Sequence, residues 1–253
     1  QVCDAERSAT DMRIGPTRYR WEFRLHDDET MDAFTDLASI GPLIAPWLES
    51  VDEPEMELIR CAEYTFRAQV ADRWRDRRVF LLGDSAHLTP PFIGQGMGAG
   101  LRDALNLVWK IVGVLDGHLK ETSLDSYETE RKTHAKQMIE LAVAIGWAMT
   151  GGSRLTGIMR TNIAPALGYL PFIGAKVTAS TTPSLGRSQY VLRPPVPVRT
   201  LAGKLCPNST LDNGMRLDDL APGQFLFVSS TPLSIGHRRE VERRGAVVLE
   251  VAA

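Results

Sequence analysis

The residues most able to do chemistry begin with an aspartate that closes a short apolar run and opens a loop crowded with glycine and proline. The segment reads Gly83-Asp84-Ser85-Ala86-His87-Leu88-Thr89-Pro90-Pro91-Phe92-Ile93-Gly94-Gln95-Gly96-Met97-Gly98-Ala99-Gly100. An ionised carboxylate only accepts hydrogen bonds, so Asp84 at a strand end selects hydroxyls such as those of a sugar-like chain. Glycines just before a helix let the backbone approach a flat ligand closely, and the free N–H groups of the first turn face it. The positive end of the helix dipole there stabilises an electron-rich ring or a developing negative charge. An acceptor followed by an amide-lined helix start fits a polyol tail joined to a redox-active ring.

Positioning such a site takes a strand before the loop and a helix after it. Val79-Phe80-Leu81-Leu82 is a continuous apolar run, as expected of a strand buried on both faces. After the loop, Leu101, Leu105, Val108, Val112 and Leu115 recur at helical spacing and predict an amphipathic helix buried along that stripe. Arg102, Asp103, Asn106 and Lys110 lie mostly off it, Leu105 and Trp109 read as core, and Gly117 can end the helix. Upstream, residues 19–25 alternate large and charged side chains, the period of a half-buried strand. Asp27-Asp28-Glu29-Thr30 offers a helix start for 31–37, with Gly41-Pro42 and Pro46 as breaks. A second strand-like run covers 58–70, and Arg73-Trp74-Arg75 reads as a surface strand end.

Downstream, Ser123 can cap a helix that is charged at first and apolar from 138 to 149, interrupted by Gly151-Gly152. Prolines 183, 194, 195 and 197 suggest an extended connector. The last part predicts strand 224–229, helix 237–244 and strand 246–251, a β-α-β outline. Arg238-Arg239 and Arg243-Arg244, interleaved with Glu240 and Glu242, read as a solvated helix face rather than a nucleic-acid surface. The formal net charge of −2 implies no long-range pull toward nucleic acid or anionic membrane. No apolar stretch approaches the ~20 residues of a bilayer span. Cys3, Cys61 and Cys206 are scattered, which suits a reducing, cytoplasmic setting and argues against a disulfide framework or a zinc site.

The run from Gly83 to Ala104 resembles the second FAD-binding motif of the class A flavoprotein aromatic hydroxylases, the para-hydroxybenzoate hydroxylase type. Within that family it is most similar to the branch acting on 3-(3-hydroxyphenyl)propionate and related phenols. Arg77-Arg78-Val79-Phe80-Leu81-Leu82 before it, Asn106-Leu107-Val108-Trp109-Lys110 after it and Tyr127-Glu128-Thr129-Glu130-Arg131 further on agree with the resemblance. The resemblance implies an FAD-dependent, NADH- or NADPH-using monooxygenase that hydroxylates a small phenolic substrate with O₂ through a flavin hydroperoxide. It also implies roles. Asp84 would hold the ribityl hydroxyls, with Gly83 beside it among the cofactor-binding residues, and Pro91 would pack beside the isoalloxazine ring. Gly94 and Gly96 would shape the turn, and the amides of Met97 and Gly98 would face the pyrimidine end. Gly98 stands where relatives often carry Asn or another small residue, so a side-chain contact is absent here while the backbone contact survives. His87 would brace the loop, and no catalytic side chain is assigned.

The implied fold is mixed α/β: substrate-domain antiparallel strands (1–72), an FAD-domain strand and helix (73–120), a helical segment (121–193) and a partial thioredoxin-like domain (194–253). Cys206 stands alone, so redox exchange in that last part is not expected. Neither a Gly-x-Gly-x-x-Gly turn nor an Asp-Gly motif occurs before residue 83, so the expectation is a C-terminal fragment of a longer enzyme; a homodimer is compatible with the family. Other readings stay open at this point. One is a catalytically silent interaction module, and another a related flavin-dependent halogenase or reductase. Gly83-Asp84-Ser85 also resembles the opening of the Gly-Asp-Ser-Leu esterases, with Ala86 in place of Leu and no separate Asp-x-x-His.

Overall fold

The computed structural model describes residue 2 and residues 7–48, 56–150, 182–192 and 201–251. Gly151-Gly152 and prolines 194, 195 and 197 lie outside the described residues, as does Cys3. Contacts divide the chain into two units, 1–204 and 205–253. The fold is mixed helix and strand.

In the first unit, β1 (Ala9–Arg13) and β2 (Tyr19–Phe23) form an antiparallel hairpin in which Ala9 faces Phe23 and Arg13 faces Tyr19. The predicted alternation explains it: Tyr19 stacks on Trp21 at 5.6 Å on one face, while Arg20 pairs with Glu22 on the other. The helix expected over 31–37 is a single 3₁₀ turn, Met31–Ala33, and α1 instead spans Leu37–Ile44. Asp36 decides this, because its carboxylate accepts the Ser39 N–H at 2.8 Å and caps the later start. The helix passes through Pro42, and Pro46 falls in the 3₁₀ turn that follows it.

The strand expected over 58–70 is a second correction. Only Gln69–Val70 (β3) joins a ladder, antiparallel to β6 (His87–Leu88). Residues 56–68 have no strand partner among the described residues, and without a ladder, β-type side chains alone do not make a strand. β4 (Arg75–Asp76) and β5 (Val79–Phe80) form a tight antiparallel hairpin whose turn holds Arg77 at φ 53. The run 79–82 is therefore not buried on both faces. With β4 as its one neighbour among the described residues, β5 leaves Val79 65% exposed. Trp74, read as part of a surface strand end, is fully buried.

Two long helices carry the core, α2 (Gly96–Leu115) and α3 (Asp125–Thr150). Trp74, Ala86, Leu107, Leu124, Tyr127 and Ala135 pack together between them and the β3–β6 strands. Ser123 does not cap α3 but lies in a preceding 3₁₀ turn, Glu121–Leu124. α2 ends near the expected place, with Gly117 at φ 73. Its buried face is not the expected one. Leu101, Leu105, Val108, Val112 and Leu115 are all exposed, Leu105 to 74%, so Leu105 is not core. Ala99, Asp103, Leu107 and Lys110 are buried instead. These two stripes have the same helical periodicity. The second wins because α3 places Glu130 and Arg131 opposite Lys110 and Asp103 and neutralises both. Trp109 is half-buried, meeting Tyr190 edge-on at 5.1 Å.

In the second unit, β7 (Phe225–Ser229) and β8 (Ala246–Glu250) pair in parallel around α4 (Ile235–Arg243), matching the expected β-α-β outline. The Ser234 hydroxyl accepts the His237 N–H and caps α4. Glu240 pairs with Arg243 and Arg244, and Arg238 with Glu242, as expected of a solvated face. Cys206 is free and exposed.

Candidate functional site

The chain turns sharply after β5. Gly83 adopts φ 57, a conformation that favours glycine, and Gly83–Ser85 form a 3₁₀ turn. A Cβ built on Gly100 would lie 3.2 Å from the Gly83 Cα, so this turn sits almost directly on the second turn of α2. The Gly83 N–H donates to Asp103 Oδ2 at 3.0 Å and ties the two together. Asp84 is exposed and makes no hydrogen bond or ion pair among the described residues, so it does not act as a cap. Ser85 Oγ donates to the Leu82 carbonyl and accepts the Leu82 N–H, which closes the turn.

Pro91 opens a second 3₁₀ turn, Pro91–Ile93, and is exposed. Phe92 anchors this turn from behind, since a Cβ on Gly146 of α3 would fall 2.3 Å from its ring. Gly94, at φ 62, ends the turn, and α2 begins at Gly96, where the Gln95 side chain at the N-cap position makes no capping hydrogen bond. Among the described residues nothing accepts from the N–H groups of Gly96, Met97 and Gly98, which are open donors of the helix. A Cβ on Gly94 or Gly96 would meet nothing within 4 Å, while one on Gly98 would sit 3.5 Å from Gln95 Oε1 and 3.9 Å from Arg102 Nη1. Met97 is exposed. The acceptor turn and the amide-lined helix start are therefore brought together through the Gly83–Gly100 contact. The Pro91 turn is held separately, by α3.

His87 does brace this region. It is buried in β6, stacks on Trp74 at 5.2 Å and places Nε2 2.7 Å from Asp103 Oδ2. Its Nδ1 has no hydrogen-bond partner among the described residues. With Ser85 committed to Leu82 and His87 to Asp103, the two share no hydrogen bond, and the motif's serine and histidine do not form an esterase pair.

Sequence reasoning missed the buried charges. Asp103, 0% exposed, also accepts Arg131 Nε at 2.8 Å. Burial pushes its carboxyl upward, but the hydrogen bonds from His87, Gly83 and Arg131 outweigh this and hold it below the usual carboxylate range. Lys110, likewise 0% exposed, donates to Glu130 Oε2 and Asn106 Oδ1, both at 2.8 Å. Burial draws its ammonium down, and Glu130 opposes the shift. Two signals could have found these groups: the 99/103/107/110 periodicity and the adjacent Glu130-Arg131 pair.

His134 yields an expected pH dependence. It is buried, and desolvation with the nearby Arg131 and Arg102 guanidiniums pulls it down to about 4; Asp103 opposes this and the His87 ring adds to it. Unfolded, it titrates at about 6.5. Between these values the unfolded chain binds more protons, so stability is intact above about pH 6.5 and falls as pH drops toward about 4. The full loss is about 3 kcal/mol. Urea unfolding midpoints should decline from about pH 7 to about pH 5, and His134→Leu should flatten the decline.

A separate cleft of about 830 Å³ is lined by Asp72, Arg75, Asp125, Glu128, Lys132 and neighbours, and contains none of the Gly83–Gly98 residues. Arg75 pairs there with Asp125 and Glu121, and Lys132 with Glu128, so much of its charge is already matched. No cluster among the described residues could hold a metal ion, and no described helix is long and apolar enough to cross a membrane.

The chain is 41% identical over 169 residues to a 3-(3-hydroxy-phenyl)propionate/3-hydroxycinnamic acid hydroxylase of Burkholderia cenocepacia (strain HI2424), covering 67% of the chain and 31% of that protein. It is 40% identical over 150 residues to a probable NADH-specific resorcinol 4-hydroxylase of Rhodococcus jostii (strain RHA1), covering 59% of the chain and 28% of that protein. The chain thus spans about a third of the length of these relatives. Among solved structures, the fold matches aklavinone-11 hydroxylase in complex with FAD and aklavinone (TM-score 0.66, 23% identity, 93% of this chain and 45% of that one). It also matches the OxyS anhydrotetracycline hydroxylase of Streptomyces rimosus (TM-score 0.66, 20% identity, 98% and 50%). The FAD binding domain profile matches residues 11–142, just over half of the sequence, and the chain belongs to that family.

Proposed function

We propose that this chain supplies the flavin-ring side of an FAD-dependent aromatic monooxygenase that uses NADH or NADPH, O₂ and a small phenolic substrate. The observation that carries this reading is the exposed Asp84 carboxylate, unpartnered among the described residues, on a turn packed against the second turn of α2, whose first N–H groups Gln95 leaves uncapped. The donor set suits FAD. Asp84 offers free lone pairs to ribityl hydroxyls, and the amides of Met97 and Gly98 offer donors to the pyrimidine edge. Gly94 and Gly96 leave open space where a flat ring would approach. Pro91, rigid and held by the turn behind it, would flank the ring. When bound, FAD supplies the redox chemistry; these residues bind it, orient it and limit water. The relatives named as hydroxylases of phenolic acids and resorcinol support a phenolic substrate.

In the same reading, 1–72 serves the substrate side, 73–120 the flavin, 121–193 a helical support and 194–253 a thioredoxin-like part, in a cytoplasmic enzyme. A catalytically silent interaction module is the second reading, favoured by the exposed apolar stripe of α2. Titration of the purified chain with FAD, followed by flavin fluorescence quenching and visible absorption, separates them. Saturable binding with a perturbed flavin spectrum supports the flavin site. Free-flavin spectra throughout the titration favour the silent module.

A further inference from the structure

We propose that Asp103 is a positioning residue for this flavin site: its carboxylate sets the spacing between the Gly83–Asp84 turn and the first turns of α2. This inference rests on the flavin reading above. Asp103 gathers three elements on one fully buried carboxylate. It accepts the Gly83 N–H from the turn, His87 Nε2 from β6 and Arg131 Nε from α3. Arg131 then extends Nη2 to the Ala99 carbonyl at 3.3 Å, so the same guanidinium holds α2 at its first turn. Beside this hub, Gly83 and Gly100 meet with no side chain between them.

Stability alone is a poor reason for such an arrangement, because buried ion pairs are often matched or bettered by apolar residues of similar volume. What a carboxylate with three directed donors supplies is geometry. A polyol hydroxyl and a ring edge must be met at the same time by Asp84 and by the helix amides, within about 0.5 Å. Asp103 touches neither ligand-facing group. It acts through the backbone of Gly83 and the axis of α2.

The test compares Asp103→Asn with Glu130→Gln in the full chain. Both turn a buried carboxylate into an amide, but Glu130 serves Lys110, Asn106 and Ser188 rather than the turn. Asp103→Asn should weaken FAD binding by about tenfold or more, alter the visible spectrum of bound flavin, and speed hydrogen exchange of the Gly83 amide. Glu130→Gln should leave affinity within about twofold and Gly83 exchange unchanged, despite its own loss of stability. Gly100→Ala keeps every charge and pushes against Gly83. It should weaken FAD binding with little change in unfolding midpoint, and it decides the matter if Asp103→Asn does not fold. Equal affinity losses in Asp103→Asn and Glu130→Gln, or unchanged affinity in Asp103→Asn or Gly100→Ala, overturn the proposal. If the wild-type chain takes up no FAD, the flavin reading is what fails. Gly83 exchange then decides the positioning role, and equal protection in wild type and Asp103→Asn overturns it.

Discussion

Asp84→Ala is expected to weaken FAD binding by about 10- to 100-fold, since hydrogen bonds to a charged group contribute ~1.5–3 kcal/mol. The same change should barely alter folding. Asp84 is exposed and makes no hydrogen bond or ion pair among the described residues, so its removal leaves no donor stranded there and should cost within about 0.5 kcal/mol. That separation makes the experiment informative: affinity falls while the unfolding midpoint stays. Asp84→Asn, which keeps one carbonyl acceptor, should fall between wild type and alanine. Flavin fluorescence titration measures all three, and an alanine variant binding FAD as tightly as wild type would remove Asp84 from the site.

The second large effect concerns stability. Glu130→Leu is expected to cost about 3–5 kcal/mol, because it strands the Lys110 ammonium in the core. Lys110 would keep the Asn106 carbonyl and two aromatic faces, Trp109 at 5.4 Å and Tyr190 at 5.7 Å, but no counter-charge. The double variant Lys110→Met with Glu130→Leu should recover much of the loss, since both desolvation costs then disappear together. Recovery should stay incomplete, because Glu130 also accepts from Asn106 and Ser188. Urea midpoints at neutral pH measure the cycle. Additive losses would mean that Lys110 and Glu130 do not act as a pair.

Much of the local backbone around the candidate site was legible from the residues. Gly83 and Gly94 were placed where the backbone turns, and both adopt positive φ. The helix begins at Gly96, within the glycines that mark its start, and ends just before Gly117. The closing β-α-β outline was equally plain, with helix bounds shifted by one or two residues. His87 was read as a brace, and its ring is held by Asp103. Signals of this kind act over a few residues of chain, so no distant partner has to be known.

Other features depended on partners far along the sequence. The apolar stripe from Leu101 to Leu115 looked like the buried face of α2, yet Asp103 and Lys110 point inward because Arg131 and Glu130 lie 28 and 20 residues away to receive them. The run 79–82 looked doubly buried, but a strand's burial is set by its neighbours, and β5 has β4 alone among the described residues. Residues 58–68 had strand-forming side chains and pair with no edge among the described residues. Sequence by itself determined the order of acceptor, glycine loop and helix start, because turn and helix-end preferences are local. Only the tertiary structure decided which helix face is buried and which carboxylate stays free, because desolvating a charge is tolerable only where a counter-charge has been brought to meet it.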